Sequence, residues 1–458
     1  MTLLDRLRDL LGPAHVLTGD DTAGYRDDWT GHYHWSPLAV LRPGSTEEVS
    51  AVLRLASETG TPVVPVGGNT GLNGGAAAEG ALMLSLARMN RLREVNPAAR
   101  TITAEAGVIL ETLHDEAARH GLVFPLTFGA KGSAMVGGFL STNAGGSNVL
   151  RYGNARALCL GIEVVLADGR VMNLLTGLHK DNSGYDLRDL MIGAEGTLGV
   201  ITAAVLKLAP APVAHATALL GMDTLEGALA LLHRLQAGSG GAVEAFEFMP
   251  AHYMERLGRL KPELACPFEP CAVNVMVEIA TTIEGEDPVE RLETLLESAL
   301  EDGSLTEAVV ATSEAQRRRL WTMRESAAEI TFVQPVMVDT DVALPLDRLQ
   351  LFLTRMEVRL ATLDPEAEVF LVAHLGDGNI HYSVYPGREE ASHLAAIRAA
   401  IASEAVALGG SFSAEHGVGL SKRATLAAHK DPVALSVMAA IKAALDPKGI
   451  LNPGKMLP

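Results

Sequence analysis

The sequence predicts an α+β fold with two parts and a C-terminal helical segment. Glycine-rich stretches occupy residues 67–75, 129–146 and 193–199, and the Pro210-Ala211-Pro212 break follows them. After that break, single helices interrupt runs of neighbouring strands, which fits an antiparallel sheet covered by helices on one face. We therefore expect a two-part N-terminal domain at residues 1–211, an antiparallel-sheet α+β cap at residues 212–410 and a C-terminal segment at residues 411–458.

Composition limits the class of protein. The chain has 458 residues, 48% of them hydrophobic and 20% charged, so it can bury large cores. A formal net charge of −18 argues against nucleic acid as a partner. No basic n-region followed by an apolar h-region opens the chain, and no apolar run reaches about 18 residues. We therefore expect a cytoplasmic protein without an integral membrane segment; peripheral membrane docking stays open. Cys159, Cys266 and Cys271 are too few for a disulfide framework.

The N-terminal domain opens with elements that have ordinary start and stop signals. An amphipathic pattern predicts a helix at residues 3–11, and the capping box at residues 45–48 opens a second helix that Gly60 closes. A strand is predicted at residues 62–66, and a hairpin at residues 162–167 and 170–174 around an Asp168-Gly169 turn.

The strand at residues 62–66 leads into Gly67-Gly68-Asn69-Thr70-Gly71-Leu72-Asn73-Gly74-Gly75. Such glycines let backbone amides point into a concavity suited to a phosphate. The loop is neither a Walker loop nor a dinucleotide fingerprint, and alone it could equally be a flexible loop. A second surface of small residues at 129–133 and 137–146 favours a large, flat ligand lying against the backbone.

The cap is predicted from alternating strand and helix patterns. Strands are expected at residues 213–220, 243–249, 273–280, 307–311, 336–344, 369–373 and 380–385. Helices are expected at residues 225–236, 288–300, 315–331 and 346–363, with one more at 433–445 in the C-terminal segment.

Two histidines flank a glycine-rich turn in the last predicted hairpin, His374-Leu375-Gly376-Asp377-Gly378-Asn379-Ile380-His381. The turn lets both imidazoles face one point, and Glu415 follows in a strand-like segment at residues 411–417. Two histidines and a glutamate are typical of a catalytic zinc site with an open position. The alternative is three unrelated residues in a chain with 14 histidines. Asp377 and Asn379 are assigned to turn geometry and to hydrogen bonds behind the ligands.

The sequence resembles a known family over nearly its whole length. Residues 65–75, 137–146 and 193–201 are similar to the FAD-binding domain of the vanillyl-alcohol oxidase type. The histidine cluster and the ending at residues 445–453 resemble its D-2-hydroxyacid dehydrogenase branch, which includes D-2-hydroxyglutarate dehydrogenase, D-lactate dehydrogenase and the glycolate oxidase flavin subunit. The resemblance implies that FAD contacts Gly67, Gly68, Asn69, Thr70, Gly71, Leu72, Gly132, Ser133, Thr142, Asn143, Gly145, Gly146, Ile201 and Asn452. No His or Cys stands where relatives attach flavin covalently, so we expect non-covalent FAD.

The resemblance also implies a chemistry. Arg324 alone would be interpreted as a surface ion-pair residue, but its Trp321-x-x-Arg324 segment is similar to the family's substrate-carboxylate arginine. A metal on His374, His381 and Glu415 would take the α-carboxylate and 2-hydroxyl of a D-2-hydroxy acid. His416 would remove the hydroxyl proton while hydride passes from C2 to flavin N5, although a fourth ligand or a bystander is the alternative for His416.

Substrate choice is where the sequence departs from the D-2-hydroxyglutarate dehydrogenases. Their distal carboxylate is met by a threonine four residues after the clamp arginine and by a lysine fifteen after it; Ala328 and Asp339 stand at these positions. No Lys or Arg occurs from residue 325 to residue 347, and residues 340–342 are more similar to D-lactate dehydrogenases. We therefore expect monocarboxylic D-2-hydroxy acids such as D-lactate to be preferred, the alternative being a basic residue from elsewhere, such as Lys261.

Other functions stay open at this point. The chain could be a D-2-hydroxyglutarate dehydrogenase, the flavin subunit of a glycolate oxidase-like complex, or a flavin-free metallohydrolase that uses the same His-His-Glu set. An electron-transferring flavoprotein or a quinone could accept the electrons, and a homodimer is compatible with the sequence.

Overall fold

A computed structural model describes residues 1–458 and confirms the α+β class. Fifteen α-helices are present: α1 (Leu3–Leu11), α2 (Thr46–Thr59), α3 (Leu110–Ala118), α4 (Val136–Thr142), α5 (Val149–Tyr152), α6 (Leu187–Met191), α7 (Leu225–Gly238), α8 (Ala251–Leu260), α9 (Pro288–Glu301), α10 (Glu314–Glu325), α11 (Ala327–Thr331), α12 (Leu349–Leu363), α13 (Ala391–Ala407), α14 (Arg423–His429) and α15 (Pro432–Leu445). Short 3-10 helices lie at Pro13–His15, Gly19–Tyr25, Pro262–Leu264 and Leu346–Arg348.

Eighteen strands form four sheets: β1 (Val16–Leu17), β2 (Ala39–Leu41), β3 (Val63–Val66), β4 (Leu82–Ser85), β5 (Leu92–Asn96), β6 (Thr101–Glu105), β7 (Leu122–Val123), β8 (Cys159–Val165), β9 (Val171–Leu174), β10 (Val200–Lys207), β11 (Ala209–Pro210), β12 (Ala214–Met222), β13 (Val243–Pro250), β14 (Val273–Thr281), β15 (Glu307–Val310), β16 (Val338–Ala343), β17 (Glu368–His374) and β18 (Asn379–Tyr385).

The first of two structural units comprises residues 1–145, 154–210 and 415–458. Its four-stranded sheet has the order β1-β2-β4-β3, in which β2 and β3 both run parallel to β4. Its five-stranded sheet, β5-β6-β10-β8-β9, is antiparallel. Ser45 caps α2 as expected, but the carboxylate of Glu48 accepts the N–H of Gly44 at 2.7 Å rather than that of Ser45.

The second unit comprises residues 146–153 and 211–414 and contains one antiparallel sheet of seven strands, in the order β15-β12-β14-β13-β17-β18-β16. One face packs on α7, α9, α12 and α13, and the other face on α8, α10 and α11. The expectation that helices cover only one face was therefore wrong. It missed α8 and the alanine-rich α13, whose apolar residues do not form one clear stripe.

Two further elements differ from the sequence prediction. The helix expected at residues 315–331 is interrupted at Ser326, whose hydroxyl donates to the carbonyl of Thr322 at 2.8 Å. The segment at residues 411–417 is not a strand, since only Ser411 bridges to the sheet, opposite Ala343. No helix in the chain is long and apolar enough to span a bilayer.

Candidate active site

The two histidines lie on the hairpin formed by β17 and β18, at the end where the turn joins the strands. His374 is paired with Asn379 and Val372 with His381, so both imidazoles stand on the same face. Their ring centroids lie 5.4 Å apart at an interplanar angle of 76°. The turn between them requires glycine at position 378, because φ there is +81° and a Cβ would meet the carbonyl oxygen of Leu344 at 2.2 Å.

Glu415 owes its position to the segment directly before it. Ser411 exchanges two backbone hydrogen bonds with Ala343, of 2.7 and 3.0 Å. The N–H of Ala414 lies 3.2 Å from the carbonyl of Asp341 and 3.1 Å from its carboxylate, and Asp341 pairs with His381 across the sheet. One ligand atom each from His374, His381 and Glu415 lies within 4.8 Å of the others. Zinc–ligand distances of roughly 2 Å make this donor set suitable for one divalent ion.

Glu247 is a site residue that the sequence analysis missed. It lies on β13 opposite His374 and is only 1% exposed. Nδ1 of His374 lies 2.9 and 2.8 Å from the two carboxylate oxygens, and Nε of Arg324 donates to Oε2 at 2.7 Å. Burial raises the pKa of Glu247, but the charges of His374 and Arg324 outweigh it and hold that pKa below its ordinary value. Acidic residues in the otherwise apolar strand at residues 243–249 were the signal that could have revealed it.

Arg324 lies on α10 and is buried, with 8% of its surface exposed. Its Nε is taken by Glu247, whereas its Nη2 is buried without a hydrogen-bond partner. A buried guanidinium N–H without a partner is unfavourable unless a ligand satisfies it. This atom fits the carboxylate of a bound acid.

Asn379 differs from its expected role. Its backbone N–H donates to Oδ1 of Asp377 at 3.2 Å, which is the expected turn geometry. Its side chain was expected to hydrogen-bond behind the metal ligands, but both Nδ2 and Oδ1 are buried without a partner. Because Asn379 pairs with His374 across the hairpin, this unsatisfied donor and acceptor belong to a residue on the sheet face that carries the histidines.

The residues at the two diverging positions lie in α11 and β16. Asp339 pairs with Ser383 across the sheet, and the hydroxyl of Ser383 donates to its Oδ1 at 2.7 Å. Lys261, the alternative partner for a distal carboxylate, forms an ion pair with Glu329 and donates to Ser326 at 3.2 Å.

A second group of possible ligands, His215, Glu244 and Glu278, is better explained as an ion-pair network. Glu278 accepts two bonds from Arg317 and one each from Trp321 and Thr217. Glu244 accepts from Arg151 at 2.9 Å and from Tyr152 at 2.6 Å. Because these donors already neutralise both carboxylates, we assign no metal to this group.

The predicted cofactor loops meet backbone to backbone in the first unit. A Cβ at Gly68 would lie 2.0 Å from the carbonyl oxygen of Ser133, and one at Gly137 would lie 2.9 Å from Cβ of Ala106. Asn69 adopts a positive φ of 51° within the first loop. Gly71 and Gly132 have room for a methyl group, since no atom lies closer than 3.6 Å to the added carbon.

The second glycine surface is fastened by backbone hydrogen bonds. Asn143 ends α4 with φ +53°, and its Oδ1 accepts the N–H of Arg156 at 2.9 Å. The N–H of Gly193 donates to Leu140 at 2.9 Å, and that of Glu195 to Ser141 at 2.8 Å. The other predicted residues of this surface occupy the end of α4, the loop after it and β10: Thr142, Gly145, Gly146 and Ile201.

Asn452 returns from the C-terminus to the glycine loops. Its Nδ2 donates to the carbonyls of Gly75 at 3.1 Å and Glu195 at 2.7 Å, and its Oδ1 is buried without a partner. The unsatisfied acceptor beside the glycine loops fits a bound cofactor with an N–H donor.

The first glycine loop also holds the segment that carries His416. Nδ2 of Asn73 donates to the carbonyls of His416 and Gly417, both at 2.9 Å. The carboxylate of Glu195 accepts the N–H groups of Val418 at 2.7 Å and Gly419 at 2.8 Å. Asn73 and Glu195, neither of them predicted, thus fix the backbone on which His416 stands.

Comparisons with known proteins show the family of this chain. Residues 37–175 match the profile described as FAD binding domain, and residues 211–456 match FAD linked oxidases, C-terminal domain. The chain belongs to the FAD-linked oxidase family. Similar relatives include the mitochondrial D-2-hydroxyglutarate dehydrogenase of Bos taurus, 41% identical over 433 residues, 94% of this chain and 79% of the relative. The D-2-hydroxyglutarate dehydrogenase of Xanthomonas citri pv. viticola is 37% identical over 443 residues, 95% of this chain and 92% of the relative.

Solved structures of other proteins share the fold. Substrate-bound p-cresol methylhydroxylase superimposes with a TM-score of 0.77 at 16% identity, covering 99% of this chain and 96% of that chain. Alkyldihydroxyacetonephosphate synthase gives a TM-score of 0.75 at 16% identity, covering 99% and 86%. The fold is therefore the FAD-binding fold of the vanillyl-alcohol oxidase type, as the sequence resemblance implied.

Proposed function

We propose that this chain oxidises D-2-hydroxy acids to 2-oxo acids with FAD, and that monocarboxylic acids such as D-lactate are its preferred substrates. The observation that best supports this proposal is the environment of the buried Arg324. Its Nη2 has no hydrogen-bond partner, and its Nε donates to Glu247, the same carboxylate that contacts His374. A substrate carboxylate satisfies the guanidinium and is held beside the histidines. The relatives' names, D-2-hydroxyglutarate dehydrogenase, support the same reaction class.

The glycine loops, with Asn143 and Asn452, are the proposed FAD site. The backbone packing at Gly68 leaves no room for a side chain, and Oδ1 of Asn452 offers an acceptor. When bound, FAD supplies the hydride acceptor. We expect one non-covalent FAD per chain, which denaturation releases into the supernatant; flavin that stays with the precipitated protein would contradict that expectation.

His374, His381 and Glu415 are the proposed ligands of a divalent metal, zinc in the first instance. The metal supplies Lewis acidity toward the substrate's hydroxyl and carboxylate. Glu247 accepts a hydrogen bond from the Nδ1–H group of His374, which leaves the lone pair of Nε2 on that ring for the ion.

His416 is the proposed general base. Its ring receives the proton of the 2-hydroxyl, while Asn73 and Glu195 hold its backbone. Replacing His374 with alanine is expected to abolish metal binding but to retain FAD. Replacing His416 with alanine should keep the metal and lower kcat by ~10²–10⁴-fold. Equal metal loss in both variants would identify His416 as a fourth ligand.

The preference for monocarboxylic acids rests on Asp339. Two like charges about 4 Å apart repel by ~4 kcal/mol at an effective dielectric constant of 20, so a second substrate carboxylate near Asp339 is disfavoured. The test is kcat/KM for D-lactate, D-2-hydroxybutyrate, D-malate and D-2-hydroxyglutarate, measured anaerobically by flavin bleaching. A clear preference for the dicarboxylates would instead support D-2-hydroxyglutarate dehydrogenase, the second candidate, which the relatives' names favour.

The electron acceptor is part of the same proposal. An electron-transferring flavoprotein or a quinone re-oxidises the reduced enzyme, and trials of both after anaerobic reduction identify which. Turnover that requires co-purifying iron–sulfur proteins would indicate a subunit of a glycolate oxidase-like complex.

A further inference from the structure

Two aspartates of β16, Asp339 and Asp341, lie on the face of the cap sheet that carries the histidines. Asp339 and Ser383 are direct cross-strand partners, as are Asp341 and His381 two residues further along. Alternation along a strand puts residues 339 and 341, and likewise 381 and 383, on the same face. The hydroxyl of Ser383, which is buried, donates to Oδ1 of the half-buried Asp339 at 2.7 Å.

Tyr385 and Arg256 lie close to Asp339 and Ser383 on this part of the sheet. Tyr385 follows on the same face, donates its hydroxyl to the carbonyl of Thr331 at 2.6 Å and accepts from Arg256 at 2.7 Å. Burial raises the pKa of Tyr385, the charge of Arg256 lowers it, and Asp339 adds to the rise. Arg256 stacks over Phe370 at 4.1 Å and lies 4.0 Å from Glu368. Arg256 is thus engaged by Glu368 and by the rings of Phe370 and Tyr385.

The distance from the histidines suits a short substrate. Asp339 lies two residues along β16 from the partner of His381, which is about 7 Å at ~3.4 Å per residue. Five bonds of ~1.5 Å join C1 of a five-carbon 2-hydroxy acid to an oxygen or nitrogen atom on C5, and an extended chain of five bonds spans roughly 6 Å. The far group of such an acid, held at Arg324 and the histidines, therefore comes within reach of the Asp339 side chain.

We propose that Asp339 and Ser383 form a subsite for a hydrogen-bond donor at the far end of the substrate, a hydroxyl or an ammonium group. The inference rests on the proposed oxidation of D-2-hydroxy acids and adds the substrate class. A carboxylate accepts hydrogen bonds but donates none when ionised, so it favours a donor over a methyl group and disfavours a second carboxylate.

The test uses a series of compounds built on D-2-hydroxypentanoate in which only the group at C5 changes. Its C5 group is varied from methyl to hydroxymethyl, aminomethyl or carboxylate, the last being D-2-hydroxyglutarate. We expect kcat/KM for the better of the two donor compounds to exceed that of the methyl compound by about ten- to hundredfold, the range of a hydrogen bond to a charged group. The carboxylate compound should be the poorest.

Variants separate the subsite from the general chemistry. Asp339→Asn should remove the advantage that the aminomethyl compound has over the methyl compound, when kcat/KM for both compounds is compared within the variant. Asp339→Lys should make the carboxylate compound the best of the series. Glu368→Gln, a change at the exposed acid beside Arg256, is the matched control and should keep the wild-type order.

The outcomes are distinguishable. If no compound of the series reduces the flavin, the proposed function itself fails, and the subsite with it. If the methyl compound is reduced but surpasses both donors, or if Asp339→Asn keeps the wild-type order, only the subsite is refuted. A preference for the carboxylate compound that Arg256→Met abolishes would assign the far end of the substrate to Arg256 instead.

Discussion

Replacing Glu247 with glutamine tests whether one buried carboxylate positions both His374 and Arg324 in the proposed active site. In the wild type it accepts from Nδ1 of His374 and from Nε of Arg324. A glutamine of the same size has one acceptor oxygen and one NH2 group. If the NH2 group faces His374, the ring can accept it only by moving its proton from Nδ1 to Nε2, the nitrogen needed by the metal.

Two magnitudes follow from this geometry. Loss of a hydrogen bond behind a metal ligand typically lowers metal affinity by 10–100-fold, so we expect about that decrease for zinc. Arg324 would keep its buried charge without a carboxylate, and breaking a buried ion pair lowers the free energy of unfolding by roughly 3–5 kcal/mol. KM should rise as well, because the guanidinium that faces the substrate is no longer held.

Calorimetric titration of zinc into metal-free protein measures the first effect, and urea unfolding of the same protein measures the second. Glu244→Gln is the matched control, because Glu244 lies on the same strand and is buried against Arg151 but contacts neither histidine of the hairpin. It should lose a similar stability and keep full zinc affinity. Zinc affinity in Glu247→Gln equal to that of the wild type would refute the role assigned to this residue.

Three other changes have defined outcomes. Gly68→Ala should abolish FAD binding, because its Cβ would lie 2.0 Å from Ser133 O, whereas Gly24→Ala, outside the glycine loops and with no atom within 4 Å of the added carbon, should keep one FAD per chain by absorbance. Asn73→Ala removes three hydrogen bonds, to His416, Gly417 and Ser421, and should lower the free energy of unfolding by roughly 2–4 kcal/mol and lower kcat in steady-state assays; Ser421→Ala, which loses only one of them, should have a smaller effect on both. Burial and the charge of Arg256 lower the pKa of His252 to about 4 from 6.5. The unfolded chain thus binds more protons between these values, and the wild type should lose roughly 2–3 kcal/mol more stability than His252→Gln in urea unfolding as the pH falls from 7 to 4.

Local patterns predicted most of the fold. The hairpin at β17 and β18 and the helices α2, α7, α9 and α12 begin and end close to their predicted bounds, since caps, glycines and apolar periodicity lie within the elements themselves. The sequence analysis did not foresee α8, nor that α8, α10 and α11 cover the second face of the cap sheet. Whether an amphipathic segment such as α8 packs on one face or the other depends on the sheet order, which residue spacing does not reveal.

The site residues divide in the same way. The histidines are separated by one turn, so the sequence could pair them. Glu247 is 127 residues from His374, and Asn73 is 343 residues from His416, and no local pattern links such positions. Asn379 shows the opposite error, since its motif suggested a supporting hydrogen bond where the structure has two unsatisfied polar atoms.

In the proposed mechanism, the residues for the reaction chemistry and those for substrate choice lie on different parts of one sheet face. The proposed chemistry uses the end where β17 turns into β18, with Arg324, Glu247 and His374 in mutual contact. The proposed subsite for the far group of the substrate uses Asp339 and Ser383, which lie two residues further along the strands than Asp341 and His381. A like-charge repulsion of ~4 kcal/mol at the second location lowers a rate constant by nearly a thousandfold at 1.4 kcal/mol per decade and leaves the first location unchanged. We therefore expect the acid at position 339 to give this chain a substrate preference that differs from that in its relatives' names, D-2-hydroxyglutarate dehydrogenase.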